Sequence, residues 1–130
     1  FFIFVVFSSL SWKTSSLKSW SINLYKNQQT FPKTFKVIDA FPQIVSASFN
    51  LLEPHSKIKP HNGDTNAIFR CHLGLIIPKE QDSCGFTVNG ETRKWEEGKM
   101  LIFVDGLYHE AFNNTNEERY IFLFDVIRDE

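Results

Sequence analysis

Hydrophobic and polar positions change rhythm part-way along the chain. Residues 11–29 are mostly polar with scattered aromatics, and "FPKTFKVIDAFP" then sets Thr34, Phe35, Val37, Ile38 and Phe41 at helical spacing between two prolines. One short helix is expected there. Beyond Pro42 the apolar residues come in short alternating or continuous runs, which predict strands over 44–52, 66–77, 85–88, 91–95, 100–104, 108–113 and 119–127.

The separators between these runs have the chemistry of turns. Asn89-Gly90 can take positive φ at both positions and so closes a two-residue hairpin between "GFTV" and "ETRKW". "EEGK" supplies a second turn, and "NNTNEE" a longer connection before the last run. Many short strands at regular spacing predict a sandwich or barrel, and the expected architecture is an all-β core folded as a jelly roll behind a short N-terminal helical segment.

With 130 residues, the chain suits a single domain. Fourteen Lys and Arg balance fifteen Asp and Glu, without a basic stripe interleaved with aromatics, so nucleic acid is excluded as a partner. The fourteen Phe fall where strand patterns need core residues. Cys71 and Cys84 have neither metal-type spacing nor the density of a disulfide scaffold, which leaves the compartment open. The opening "FFIFVVFSSLS" is apolar for seven residues, too short to span a bilayer. It reads either as the remnant of a signal or anchor, or as an edge strand. Residues 1–18 are accordingly set apart from a domain over 19–130, and membrane association is expected only through this segment. Asn113 fits a glycosylation sequon, which matters only in a secretory lumen.

Several side chains are costly to place on a core-bound face unless something fills their valences. His61 follows "KIKP", His109 begins "HEAFN", and Arg119 opens "RYIFLFDV" ten residues later. A hairpin-like connection would set His109 and Arg119 on neighbouring strands of one face. Two neutral imidazoles suit divalent iron and leave its other positions open, while a planar guanidinium grips a carboxylate through two parallel hydrogen bonds. Together these fit a 2-oxoacid dicarboxylate held by Fe(II) at one end and Arg119 at the other. Arg70 and His72, two apart, share a strand face and could hold the carboxylate nearer the metal. The plainer alternative is that single histidines are satisfied surface groups, as His55 between Pro54 and Ser56 is expected to be, and that Arg119 is an edge-strand charge.

"PHNGDTNAIFRCHLGLIIPKE", "GETRKWEEGKMLIFVDGLYHEAFNNT" and "RYIFLFDV", in order and at close spacing, resemble the aspartyl/asparaginyl β-hydroxylase family of Fe(II)/2-oxoglutarate-dependent oxygenases from about residue 19 to 126. The resemblance implies a double-stranded β-helix, cupin-like, with His61 and His109 as the iron ligands. It implies that Arg119 pairs with the distal carboxylate of 2-oxoglutarate, and that Arg70 and His72 bind this cosubstrate, with Cys71 between them in backbone contact. Trp20 matches the tryptophan that starts the family's domain and reaches the cosubstrate. Asn50 stands where the family can use a hydroxyl residue. Gly63, two residues after His61, rules out a His-x-Asp carboxylate ligand, in keeping with the branch that uses two histidines and water; Asp64 is a candidate acceptor nearby. Val104 and Gly106 depart from an acid and a Ser common in the family, and "IRDE" follows "DV" where the family continues Trp-His-Pro.

The implied activity is an oxygenase that consumes 2-oxoglutarate and dioxygen and hydroxylates the β-carbon of an Asp or Asn in a polypeptide. Hydroxylation of a lipid acyl chain is the alternative within the enzyme class. A catalytically inactive binding module is the alternative outside it, and would be signalled by loss of His61, His109 or Arg119, all present here.

Overall fold

The computed structural model describes residues 5–6 and 12–129, and of the apolar opening run only Val5–Val6 falls among them. The chain runs β1 (Val5–Val6), β2 (Trp12–Ser19), β3 (Ile22–Asn23), α1 (Tyr25–Gln28), α2 (Pro32–Ala40), β4 (Ile44–Leu52), β5 (Ser56–Asn62) and β6 (Ile68–Ile76). A 3₁₀ turn, Gln81–Ser83, leads into β7 (Cys84–Val88), β8 (Glu91–Arg93), β9 (Met100–Val104), β10 (Tyr108–Asn113) and β11 (Arg119–Ile127). Among the described residues these form two antiparallel sheets, one ordered β1-β2-β4-β11-β6-β9 with β3 beside β2, the other β5-β10-β7-β8. This is the expected jelly roll with a short helical segment.

Leu52, Phe86, Trp95, Phe103, Ala111 and Ile121 fill the space between the sheets. Helix α2, opened by Pro32, lies on the outer face of the larger sheet and buries Ile38 against Leu17, Ile44 and Ala47. The Asn89-Gly90 turn has φ of 47° and 83°, and Val88 pairs with Glu91, so the predicted two-residue hairpin forms. Strand β8 ends at Arg93, short of the predicted 95, which frees Trp95 to turn into the core.

Besides the two-residue β3, two longer strands escaped the pattern. β2, "WKTSSLKS", pairs with β4 and crosses the boundary set at 18–19, although it reads as polar; Thr14 and Ser15 are buried there, with Leu17 under the helix. β5, "SKIKPHN", has mostly exposed side chains and lies at an edge, which explains its weak apolar signal. Asn113 is fully buried, and its Nδ2 donates to the carbonyls of Leu52, Glu53 and Glu117 at 3.2, 3.2 and 2.9 Å. The sequon is thus closed in the folded chain.

Candidate active site

β5 and β10 are neighbours, and their register places His61 directly opposite His109, with ring centroids 4.4 Å apart. Each imidazole is oriented in the same way: Nδ1 of His61 lies 2.7 Å from the carbonyl of Lys59, and Nδ1 of His109 lies 2.6 Å from that of Leu107. A carbonyl only accepts, so each Nδ1 donates to the backbone, which turns each Nε2 away from it. Burial, with a smaller push from His61, holds the His109 imidazolium below the ordinary histidine range and keeps the ring neutral. Imidazoles on adjacent strands, when unprotonated at Nε2, are the donors that a divalent transition metal requires. Among the described residues no three His, Cys, Asp or Glu side chains gather as a metal-holding group, so Asp64 does not join the pair.

The space into which a side chain at position 63 would project is filled. A Cβ added to Gly63 would stand 2.1 Å from the carbonyl oxygen of Asp105 and 2.5 Å from its carboxylate. Asp105 is buried and braces the loop after His61: its carbonyl accepts from the Gly63 N–H at 3.1 Å and its carboxylate from the Asp64 N–H at 3.0 Å.

Facing the histidines across a cavity of about 90 Å³ are Asn50, Arg70, His72 and Arg119 from the larger sheet. Arg119 and His109 therefore lie on opposite sheets, and not on neighbouring strands of one face as expected, because the connection 114–118 crosses from one sheet to the other. Arg119 is only 2% exposed. Its guanidinium stacks 4.3 Å from the Trp95 ring centroid, and its Nε has no hydrogen-bond partner. Burial pulls its pKa down to about 10, so it stays charged at neutral pH, and among the described residues it forms no ion pair with an acidic side chain.

His72 accepts from the Trp95 indole N–H through Nδ1 at 3.2 Å, which leaves its Nε2–H as the donor at the cavity wall. Burial, then the charges of Arg119 and Arg70, keep it neutral by driving its pKa well below the usual range. Asn50 accepts from the Thr14 hydroxyl at 2.8 Å and donates to Ser48 Oγ at 2.9 Å, with one N–H left for the cavity. Arg70 lines the same cavity, but much of its donor capacity is committed: Nε and Nη2 grip Asp125 at 2.9 and 3.1 Å, and Nη1 lies 2.9 Å from Asp105. Burial opposes this charge, and the two carboxylates outweigh it and hold the guanidinium above its ordinary value.

Two expected contacts fall outside the cavity. Cys71 is buried with its backbone between β11 and β9, and the strand alternation turns its side chain to the outer face, so it does not line the cavity. Trp20, with φ of 45°, lies in an adjoining polar recess that shares Arg70 and Leu123 with the cavity. His55 is the exposed polar group expected, paired with Asn116. Asp125 and Trp95 were missed by sequence reasoning. For Asp125 a signal existed, since 119, 121, 123 and 125 share one face of a regular strand.

The aspartyl/asparaginyl beta-hydroxylase family matches residues 5–129, almost the whole chain. The chain belongs to that family. Human aspartyl/asparaginyl beta-hydroxylase is 39% identical over 73% of this chain and 13% of its own length. The ornithine lipid ester-linked acyl 2-hydroxylase of Rhizobium tropici is 33% identical over 90% of this chain and 42% of its own. This aspartyl/asparaginyl hydroxylase-family chain thus spans less than half the length of these curated relatives. Solved structures similar to it include the cupin domain of Schizosaccharomyces pombe Cnp3, with TM-score 0.60, 14% identity, and coverage of 95% of this chain and 69% of that one. Another is a cupin domain of an XRE-family transcriptional regulator from Enterobacter cloacae, with TM-score 0.60, 9% identity, and coverage of 92% and 99%. These likenesses establish the cupin-type double-stranded β-helix, and the family match places the chain among the aspartyl/asparaginyl beta-hydroxylases by sequence.

Proposed function

We propose that the chain is an Fe(II)/2-oxoglutarate-dependent dioxygenase. The observation that carries this is the orphaned charge of Arg119: a buried guanidinium whose Nε has no partner among the described residues, across a cavity from two histidines each anchored through Nδ1 to a backbone carbonyl. A dicarboxylate would complete it. His61 and His109 would hold the iron, Arg119 the distal carboxylate with Asn50 donating beside it, and the His72 Nε2–H the carboxylate nearer the metal. Arg70 acts chiefly by positioning, tying Asp125 to the turn that bears Asp105. Iron with 2-oxoglutarate and dioxygen supplies the oxidising power that puts one oxygen atom into a C–H bond. Phe86 and Phe103, packed on His72 and His109, exclude water from that space.

The substrate proposed first is an Asp or Asn side chain in a polypeptide, hydroxylated at the β-carbon. A lipid acyl chain is favoured by the 33% identity to an acyl 2-hydroxylase. Both share one feature: the carbon attacked is a methylene next to a carboxyl-derived carbonyl. The test is mass spectrometry of candidate peptides and acyl lipids incubated with protein, Fe(II) and 2-oxoglutarate. A gain of one oxygen with matching succinate supports the reaction and assigns the class. Failure of Fe(II) and 2-oxoglutarate to quench tryptophan fluorescence together would point instead to a binding module.

A further inference from the structure

The larger sheet has a second face, turned away from the cavity, and α2 covers only part of it. Beside the helix lies a groove of about 630 Å³ whose walls include Val37, Phe41, Leu73, Leu75, Met100 and Phe124. Val37 and Phe41 on the helical side are 55% and 53% exposed, and Met100 on the strand side is 44% exposed. A continuous apolar surface of this kind on a water-facing side calls for an occupant.

Charge indicates which. The helical segment 25–40 carries Lys26, Lys33 and Lys36 against Asp39, net +2 in a chain whose net charge is −1. Among the described residues none of these lysines forms an ion pair, and Lys33 stands on the groove wall itself. Two copies meeting through this face would bring like charges together, which disfavours self-association there. Exposed apolar and aromatic side chains bordered by lysines, whose stems can lie on apolar surface with the ammonium in the headgroup layer, suit an anionic bilayer.

We propose that this outer face, α2 with its groove, docks on an anionic lipid bilayer. Val37, Phe41 and Met100 enter the acyl boundary while Lys33 and Lys36 meet the headgroups. The catalytic cavity lies on the other side of the sheet and stays open. Docking therefore does not depend on which reaction the cavity performs, nor on the N-terminal run to which membrane association was first assigned.

The test is co-sedimentation of the full chain with phosphatidylcholine vesicles, with and without phosphatidylglycerol. Binding is expected only to the anionic vesicles and should weaken with salt. Because a lysine near such a surface is worth about fivefold in partitioning, K33Q/K36Q should lower it about 30-fold. Val37→Asp should reduce it further, with circular dichroism showing both variants folded. Absence of binding to anionic vesicles, or binding unchanged in folded K33Q/K36Q and V37D, overturns the proposal. So does a lipid-independent dimer in sedimentation velocity that V37D dissociates, which would assign the groove to a second copy.

Discussion

A guanidinium without an acidic partner, taken out of water and stacked on an indole, costs the ligand-free protein stability. Arg119→Met should therefore leave the melting temperature of the ligand-free protein unchanged or raised, while removing the stabilisation that added 2-oxoglutarate gives. In kinetics the same variant should raise the KM for 2-oxoglutarate steeply, since losing a buried charge-assisted contact costs on the order of 2 to 5 kcal/mol. An unaltered KM would reduce Arg119 to a structural charge. His61→Ala and His109→Ala should each abolish Fe(II)-dependent turnover with little change in circular dichroism. Asp64→Ala, exposed and outside the histidine pair, should keep measurable activity.

At the scale of elements, the site is a register between β5 and β10 braced by the turn that follows β9. Gly63 belongs to this brace because the space beside its Cα is occupied by the backbone and carboxylate of Asp105. Gly63→Ala should consequently destabilise the fold by about 1–3 kcal/mol in urea titration, the usual cost of forcing a methyl group into occupied space. The loop after His61 must shift to admit it, so Fe(II) affinity should fall as well. Wild-type stability with wild-type metal affinity would show that the turn yields freely and does not set the position of His61.

For the whole molecule, two histidines facing the core couple stability to pH. Both His72 and His109 take up a proton less readily folded than unfolded, chiefly because burial penalises the charge. Below the unfolded value of about 6.5 the unfolded chain binds more protons than the folded one, so stability is complete above that pH and is lost as pH falls through it. Each histidine can contribute at most about 1.4 kcal/mol per pH unit. Thermal midpoints measured from pH 8 down to pH 5 should fall on the acid side, and His72→Asn, which keeps an acceptor for Trp95, should flatten the slope. A wild-type midpoint independent of pH in this window would mean that His72 reaches water.

Strand positions were legible wherever one face of a strand is apolar and the turn residues are decisive: 100–104, 108–113 and 119–127 match β9, β10 and β11, and Asn89-Gly90 made its hairpin. β2 and β5 were not, because one is a polar strand partly covered by a helix and the other an exposed edge, so neither shows the period of a half-buried sheet. The site was legible as a set of residues whose valences the core could not satisfy, and the two-residue period placed Arg70 with His72. That Arg119 faces His109 from the opposite sheet, that Arg70 is already gripped by Asp125, and that Asp105 fills the space beside Gly63 were decided only by the tertiary structure. Alternation along a strand determines which face a side chain takes; which charges then meet across the interior depends on how the connections carry the chain from one sheet to the other.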